Sequence, residues 1–279
     1  MKFPGAQVEI GCQGWNYDDW TSRPGERIFY PQNTRAAEML SIYARAFQTV
    51  EVDSTFYSIP SIATVEGWRE RTPEDFSFAL KLPQQITHER ELADSRELLE
   101  EFCARARRLG SKLAVVLIQL PPSFDPSPSR AQALRNFLQI LPRDMRFSVE
   151  FRHPDWLTAH VLDMLNENGI ACALVEGPWI PRETMWRVGE AQRTDFAYVR
   201  WMGRRDLTRF DRVQRPQDEN LRAWGEELKR LAARGVRVFA YFSNFYEGHA
   251  PASANKMKKL LGQQTVEPEE LDDQRALFG

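Results

Sequence analysis

Eight short segments rich in β-branched and aromatic residues recur along the chain, and each is followed by a turn and a stretch with helical periodicity. Their spacing of about thirty to forty residues is that of alternating strands and helices. Such a chain forms a parallel sheet covered by helices, because each helix returns the chain to the same end of the sheet. The predicted strands lie at residues 8–12, 49–52, 76–80, 113–120, 146–151, 170–175, 196–201 and 236–242.

The number of these units favours closure of the sheet into a barrel. Eight strand–helix units in about 260 residues match a (β/α)8 barrel of the TIM type. An open doubly wound sheet is the alternative, but the first turn, residues 11–15, lacks a dinucleotide-binding fingerprint and a phosphate-binding lysine. We therefore predict a single α/β barrel over residues 1–262, followed by a short acidic and flexible tail over residues 263–279.

Composition excludes several classes of protein. The longest apolar run is far shorter than the roughly 20 residues that span a bilayer. The residues before Val8 are too few and too polar for a signal peptide, so we expect a cytoplasmic protein without membrane contact. With 37 basic and 39 acidic residues the net charge is −2, which provides no overall positive surface for nucleic acid. The three cysteines and four histidines lack the spacing of a disulfide framework or a zinc site.

Polar residues collect where the predicted strands end. In a barrel of this type the functional site lies at the carboxyl ends of the strands. Strand alternation places Glu51 and Asp53 on one face, and likewise Glu150 and Arg152. Charges inside a barrel are costly unless they are paired, so this accumulation is not an ordinary solvated surface. The residues at the strand ends are Glu51, Asp53, Lys81, Gln119, Glu150, Arg152, Glu176, Arg200, Ser243 and Asn244.

Two interpretations of these residues stay open. In the first they form a catalytic pocket, in which carboxylates act as acid or base while cations hold an anionic substrate. In the second they are structural ion pairs, with Glu51 and Glu150 neutralising Lys81 and Arg152. The candidate catalytic residues are Glu51, Asp53, Lys81, Glu150 and His153, with His88 as a further acid or base. The candidate substrate-binding residues are Trp15, Tyr57, Gln119, Arg152, Arg200 and Asn244.

The same residues carry a resemblance to a known family. The segments GCQGW at 11–15, VEVDSTFY at 50–57, FALKLP at 78–83, QLPPSF at 119–124 and VEFRHPDW at 149–156 resemble the YecE-like family, a widespread domain of unknown function. Further matches, at 198–200 and 241–254, extend the resemblance through nearly the whole chain. It implies a TIM-type barrel and no established reaction. Met202 precedes Gly203 where similar proteins often carry a histidine, so an activity that depends on that histidine would be lost or altered here.

The strand-end residues suggest an enzyme that acts on a phosphorylated or otherwise anionic substrate, of the hydrolase or isomerase class. Hydrolysis of a phosphate ester and isomerisation of a sugar phosphate both fit a barrel. If the carboxylates bind a metal, a hard ion such as Mg²⁺ or Mn²⁺ is expected. An aldolase-like reaction through a Schiff base on Lys81 is a further alternative. It is disfavoured because two nearby glutamates should keep that lysine charged.

The chain end suggests a function of another class. Gln274, Leu277 and Phe278 have the spacing of the Gln-x-x-Leu-Phe motif by which bacterial proteins bind the DNA sliding clamp. This motif predicts a module recruited to the clamp, although Leu277 and Phe278 could equally fold back onto the barrel. A DNA-processing role would need local phosphate contacts, since the net charge supplies none. The best candidates, which could also form a solvated loop, are Arg204, Arg205, Arg209, Arg212 and Arg215.

Overall fold

The strands of the barrel follow the predicted segments closely. The computed structural model describes residues 8–272, and within them all strand pairs of the sheet are parallel, in the order β6-β5-β4-β3-β2-β1-β9-β8-β7. The strands are β1 (Val8–Gln13), β2 (Thr49–Val52), β3 (Ser77–Lys81), β4 (Leu113–Gln119), β5 (Phe147–Glu150), β6 (Ala171–Cys172), β7 (Leu174–Glu176), β8 (Phe196–Trp201) and β9 (Arg237–Phe242).

The sheet closes through its sixth predicted strand, which is divided in two. The short strands β6 and β7 are separated by Ala173 alone; β6 pairs with β5, and β7 pairs with β8. The amide of Ala173 still donates to the carbonyl oxygen of Val149 at 2.8 Å. The chain therefore changes its pairing partner from β5 to β8 at Ala173 while it stays within the sheet of the barrel. The prediction of a TIM-type α/β barrel is confirmed.

The helices cover the outer face of the barrel sheet. An additional π-helical turn at Gln85–Glu89 follows β3, and short 3₁₀ turns occur at other strand ends. The α-helices of the described residues are α1 (Ala36–Ala46), α2 (Ile62–Glu70), α3 (Arg96–Ala106), α4 (Pro128–Ile140), α5 (Ala159–Glu167), α6 (Arg182–Ala191), α7 (Asp218–Ala233), α8 (Asn244–Glu247), α9 (Ala250–Leu260) and α10 (Pro268–Asp272).

Side chains of the strands alternate between two buried layers. In β2, Val50 and Val52 belong to the layer between sheet and helices, whereas Thr49 and Glu51 contact side chains inside the barrel. The interior is lined partly by small residues such as Ala79, Ala171 and Ala173. They leave room for large polar side chains to cross the barrel, and this space is what positions the site described below.

The described part of the C-terminal segment packs against the barrel. Arg45 of α1 donates to the carbonyl oxygens of Glu270 and Leu271 at 2.9 and 3.0 Å, and Leu271 is buried. Glu270 and Leu271, which we expected to belong to a flexible tail over residues 263–279, thus contact α1 in this structure. Gln274, Leu277 and Phe278 lie outside the described residues, so recruitment to a sliding clamp stays a prediction. No helix within residues 8–272 is long and apolar enough to cross a membrane.

Candidate active site at the barrel mouth

Arg200 of β8 is the centre of the polar cluster at the carboxyl ends of the strands. Its Nε and Nη2 donate to the two carboxylate oxygens of Glu51 at 2.8 and 2.7 Å, and its Nη1 donates to Glu150. The hydroxyl of Tyr198 also donates to Glu51, at 2.7 Å. Since β2, β5 and β8 are not neighbours in the sheet, one buried guanidinium ties three sides of the barrel together. We call the carboxyl-terminal opening around this cluster the mouth.

Arg152 extends the cluster from the end of β5. Its Nε donates to Glu150 at 2.7 Å, and its guanidinium carbon lies 4.0 Å from the ring centroid of Trp179. Its Nη2 is buried and has no hydrogen-bond partner within the described chain. Burial alone would raise the pKa of Glu150, but the charges of Arg200 and Arg152 outweigh it and lower that pKa to about 2. Glu150 is therefore held as an anion and is a weak base.

Lys81, at the end of β3, lacks the partner that the sequence suggested. Its side chain is 7% exposed, and its Nζ lies 3.6 Å from the ring centroid of Phe56. No carboxylate oxygen of residues 8–272 approaches this nitrogen within 4.0 Å, because Arg200 occupies both glutamates. Burial and the positive charge of Arg200 lower the pKa of Lys81 to about 7. The expected ion pairing of Lys81 with Glu51 and Glu150 is therefore wrong for residues 8–272, and the pKa of this lysine lies below its ordinary value.

Asp53 and His88 lie beside Lys81. Burial, helped by the charge of Glu51, raises the pKa of the half-buried Asp53. Burial and the charge of Lys81 lower the pKa of His88 to about 4, so the imidazole is neutral at pH 7. Its Nε2 lies 3.4 Å from the amide nitrogen of Gln119, which can only donate. Nδ1 therefore carries the proton and donates to the hydroxyl of Thr87 at 2.8 Å.

Other predicted site residues are not connected to this cluster by hydrogen bonds or ion pairs of the described chain. Asn244 accepts from the indole of Trp20 and from the amide of Ala250, both at 3.0 Å, so its carbonyl oxygen serves packing and the start of α9. His153 is half-buried and lies 3.9 Å from Asp155. Trp15 packs edge-on against Trp68, and Tyr57 is 71% exposed at the rim.

The predicted arginine patch follows β8 and is partly neutralised. Arg209 forms an ion pair with Asp211, and Arg215 pairs with Asp206 at 2.9 Å. A cavity of about 550 Å³ opens here beside the mouth; Arg204 and Arg215 line it, as does Tyr246, whose hydroxyl is buried without a partner in the described residues. A larger cavity, about 980 Å³, lies at the opposite end of the barrel, where Arg107 and Arg146 are paired with aspartates. The larger cavity is therefore not at the mouth, and the mouth is distinguished from the opposite end by its unpaired positive groups rather than by its volume.

Met202 occupies the edge of the mouth where related sequences suggested a histidine. It is buried, and its sulfur lies 3.1 Å from the amide nitrogen of Gln13. The next residue, Gly203, has a φ of +65°, and a Cβ there would lie 2.0 Å from the carbonyl oxygen of Phe245. Glycine is thus required at 203 for a close approach of two backbone segments, while Met202 supplies no titratable group.

The described residues do not form an evident metal site. No group of three or more histidine, cysteine, aspartate or glutamate side chains within residues 8–272 is placed to hold an ion. The oxygens of Glu51 and Glu150 that would ligate Mg²⁺ or Mn²⁺ accept hydrogen bonds from arginine and tyrosine instead. These carboxylates therefore do not fit a metal as the structure holds them.

Sequence reasoning missed Tyr198 and Thr87, and it gave His88 only a secondary place. A signal for Tyr198 existed, because it stands two residues before Arg200 in a strand and must share its face. For Thr87 there was none, since the π-helical turn that pairs it with His88 is not apparent in the sequence.

Comparison with known proteins gives the family. The family model described as "Protein of unknown function DUF72" matches residues 9–276. The UPF0759 protein YecE of Escherichia coli is 34% identical over 149 residues, which are 53% of this chain and 50% of YecE, so the chain spans about half the length of that relative. The UPF0759 protein YunF of Bacillus subtilis is 28% identical over 277 residues, with 91% of this chain and 94% of YunF covered.

Solved structures agree with this family and with the fold. The crystal structure of a DUF72 family protein from Thermotoga maritima has a TM-score of 0.76 at 28% identity and covers 92% of this chain and 100% of that one. A DUF72 family protein from Enterococcus faecalis has a TM-score of 0.70 at 19% identity, with 93% and 99% covered, which shows likeness of fold alone. The resemblance to the YecE-like family is confirmed. The chain belongs to the DUF72 family of proteins of unknown function.

Proposed function

We propose that the protein is an enzyme whose barrel mouth binds and transforms a small anionic molecule carrying a phosphate or carboxylate group. The supporting observation is a charge imbalance among side chains that are at least nine-tenths buried. Within residues 8–272, Arg152 and Arg200 already match the two buried carboxylates, Glu51 and Glu150, so the positive charge that Lys81 carries in its protonated form has no buried counter-charge. Unbalanced buried charge is costly, so it is expected where a ligand supplies the missing counter-charge.

The contacts indicate two roles, positioning for the glutamates and proton transfer for the unpaired residues. Glu51 and Glu150 fix Arg200 and Arg152 in place, and their carboxylates are fully engaged in doing so. Lys81 and the half-buried Asp53 are free of such pairing and have pKa values displaced toward neutrality. We therefore assign proton transfer to Lys81 and Asp53 rather than to the two glutamates. Lys81 and Arg152 stabilise negative charge on the substrate, as hydrolysis of a phosphate ester or isomerisation of a sugar phosphate requires.

The cavity beside the mouth supports this proposal. Its volume of about 550 Å³ is sufficient for a small metabolite, and Glu176 at the end of β7 and Gly203, which follows β8, line it. The buried hydroxyl of Tyr246 and the side chain of Arg204 offer polar contacts to the part of a ligand that lies outside the mouth.

The proposal is tested by calorimetric titration of the full chain with inorganic phosphate, and then with sugar phosphates and small carboxylates. Lys81→Gln and Arg152→Gln should each weaken phosphate binding by about tenfold or more, because each removes a charge-assisted hydrogen bond. Lys229→Gln is the matched control, since Lys229 is exposed and its one ion pair within residues 8–272 is with Glu226 on its own helix. Equal binding by all three variants, or none by the wild type at millimolar phosphate, overturns the proposal.

A further inference from the structure

We infer that Lys81 reacts covalently: its amine condenses with the carbonyl carbon of an aldehyde or ketone that also carries a phosphate or carboxylate group. The product is an imine that links the substrate to the end of β3. This inference rests on the proposed anion site, and it specifies the chemical class of the substrate.

The first argument is the isolation of this amine from oxygen ligands. Six lysines lie within residues 8–272, and five of them hold an oxygen atom close to Nζ. Lys112 is as buried as Lys81, but its amine donates to the carbonyl oxygens of Arg69 and Thr72 at 2.7 and 2.8 Å. The remaining pairs are Lys229 with Glu226, Lys256 with Asp218 and Glu247, Lys258 with the carbonyl oxygen of Ala46, and Lys259 with Glu267.

Lys81 alone among these six contacts an aromatic face instead of an oxygen. An amine whose hydrogens are donated to carbonyl oxygens is held in place by those hydrogen bonds. An amine above a ring, without a fixed acceptor, is free to approach a carbonyl carbon. Lys81 is the last residue of β3, and its side chain is buried against Phe56, so its nitrogen lies at a defined place in the mouth.

The surrounding charges supply the second argument. Arg200 and Arg152 repel a proton on Lys81, and Glu51 and Glu150 attract it less effectively because both are engaged with those arginines. The displacement of the pKa of Lys81 to about 7 is consistent with this geometry, and it leaves a substantial neutral fraction at physiological pH. Asp53 and the neutral His88 are the other titratable groups whose charges couple to Lys81.

The condensation is balanced without a redox partner. The neutral nitrogen attacks the carbonyl carbon, the C–N bond forms as the π bond of the carbonyl opens, and a proton passes from the nitrogen to the oxygen to give a carbinolamine. After a second protonation of this oxygen the C–O bond breaks, water leaves, and the nitrogen lone pair forms the C=N bond of a protonated imine, which gives the neutral imine when the remaining proton on nitrogen is lost. We assign protonation of the leaving oxygen to Asp53, whose pKa is raised by burial and by the charge of Glu51. The anionic group of the substrate stabilises the protonated imine among the arginines.

The test is reductive trapping of the full chain at pH 7 with sodium cyanoborohydride and either glyceraldehyde 3-phosphate or glyceraldehyde, which differ only in the phosphate. Peptide mass spectrometry should locate the secondary amine at Lys81, labelled about tenfold faster than the other lysines. The phosphorylated aldehyde should label about tenfold faster than the neutral one. Lys81→Met and Lys81→Arg should lose this label, whereas Lys229→Met should keep it; Lys81→Arg retains the charge if Lys81→Met fails to fold.

The outcomes separate the two proposals. Label spread over lysines in proportion to their exposure, or unchanged in Lys81→Arg, overturns imine formation. If calorimetry shows that phosphate binds but no adduct forms at Lys81, imine formation is contradicted and the anion site is still supported. If both aldehydes label Lys81 equally and phosphate does not bind, the anion site falls while the reactivity of Lys81 stands.

Discussion

The barrel interior contains a polar network at each end, and the two differ in completeness. At the amino end, which we call the base, Glu9 accepts from Arg237 at 2.8 Å and from Ser77 at 2.6 Å. The hydroxyls of Ser77 and Thr49 lie 2.8 Å apart, and the hydroxyl of Thr49 lies 2.8 Å from that of Tyr241. The base therefore has one carboxylate for one guanidinium, and none of these polar atoms is buried without a partner.

At the mouth, within residues 8–272, two arginines match the two buried carboxylates, so the protonated form of Lys81 has no counter-charge; one arginine nitrogen there has no partner, and the lysine has no oxygen ligand. Both networks cross the same barrel and have the same origin in inward-facing strand positions. The base serves structure alone, because its one carboxylate is matched by one guanidinium and its hydroxyls have hydrogen-bond partners. The mouth would gain from one more anion, and this difference locates function at one end more firmly than cavity volume does.

The largest expected effect comes from the residue that holds the mouth together. Arg200→Met leaves Glu51 and Glu150 buried with much less compensation, so the free energy of unfolding should fall by about 3–5 kcal/mol. Urea unfolding followed by tryptophan fluorescence measures this change. Arg193→Met is the control, since Arg193 is largely exposed and pairs with Asp163 on the surface. A loss of less than about 1 kcal/mol for Arg200→Met would mean that the two carboxylates are solvated and the mouth is not a buried site.

A pair of variants compares the two ends directly. Arg237→Met at the base removes the only cation bound to Glu9 in the described chain and should cost about 1–3 kcal/mol, less than a fully buried pair because Arg237 is partly exposed. Lys81→Met at the mouth removes a surplus charge and should stabilise the protein by about 1–3 kcal/mol at pH 6. We expect the two variants to change the free energy of unfolding with opposite signs, as measured by the same urea unfolding experiments. Destabilisation by both variants would show that the mouth is as balanced as the base.

The pH dependence of stability sharpens the same comparison. The pKa of Lys81 is lowered from its ordinary 10.5 to about 7, so the unfolded chain binds the proton more tightly between these values. Stability from this group is therefore lowest below pH 7 and rises toward pH 10.5, by up to about 1.4 kcal/mol per pH unit. Buried cysteines and tyrosines act in the opposite direction at alkaline pH. The quantity to measure is thus the difference between wild type and Lys81→Met, and a difference that does not vary with pH contradicts the lowered pKa.

The strands were predictable because hydrophobic periodicity is a local property. The break at Ala173 was not, since the sequence from 170 to 175 is one continuous apolar run and the change of partner depends on barrel closure. The mouth residues were predictable as a group for the same local reason, namely their place at strand ends.

Which residues pair in the mouth could not be read from the sequence. Arg200 reaches Glu51 and Glu150 across the barrel, and that choice depends on barrel radius and on side-chain length rather than on spacing. The expected pairing of the glutamates with Lys81 failed for this reason. Asn244 illustrates another limit, because an amide that caps a helix and one that binds a ligand look the same in a sequence.

The smallest expected effects come from two buried threonines, one at each end. Thr49→Val at the base breaks contacts with both Ser77 and Tyr241 inside a closed network and should cost about 1–3 kcal/mol. Thr87→Val at the mouth should cost less than about 1 kcal/mol, because the half-buried imidazole of His88 can exchange its tautomer when the acceptor for Nδ1–H is lost. The tautomer of His88 provides a second test of the mouth. In wild type, nitrogen-15 spectra of the His88 imidazole should show the Nδ1–H form and a pKa of about 4. In Thr87→Val the Nε2–H form should gain population while the pKa of His88 stays low, since burial and Lys81 cause its displacement. A wild-type ring that carries its proton on Nε2, or that titrates near its ordinary value, would show that Thr87 and Lys81 do not set the state of His88.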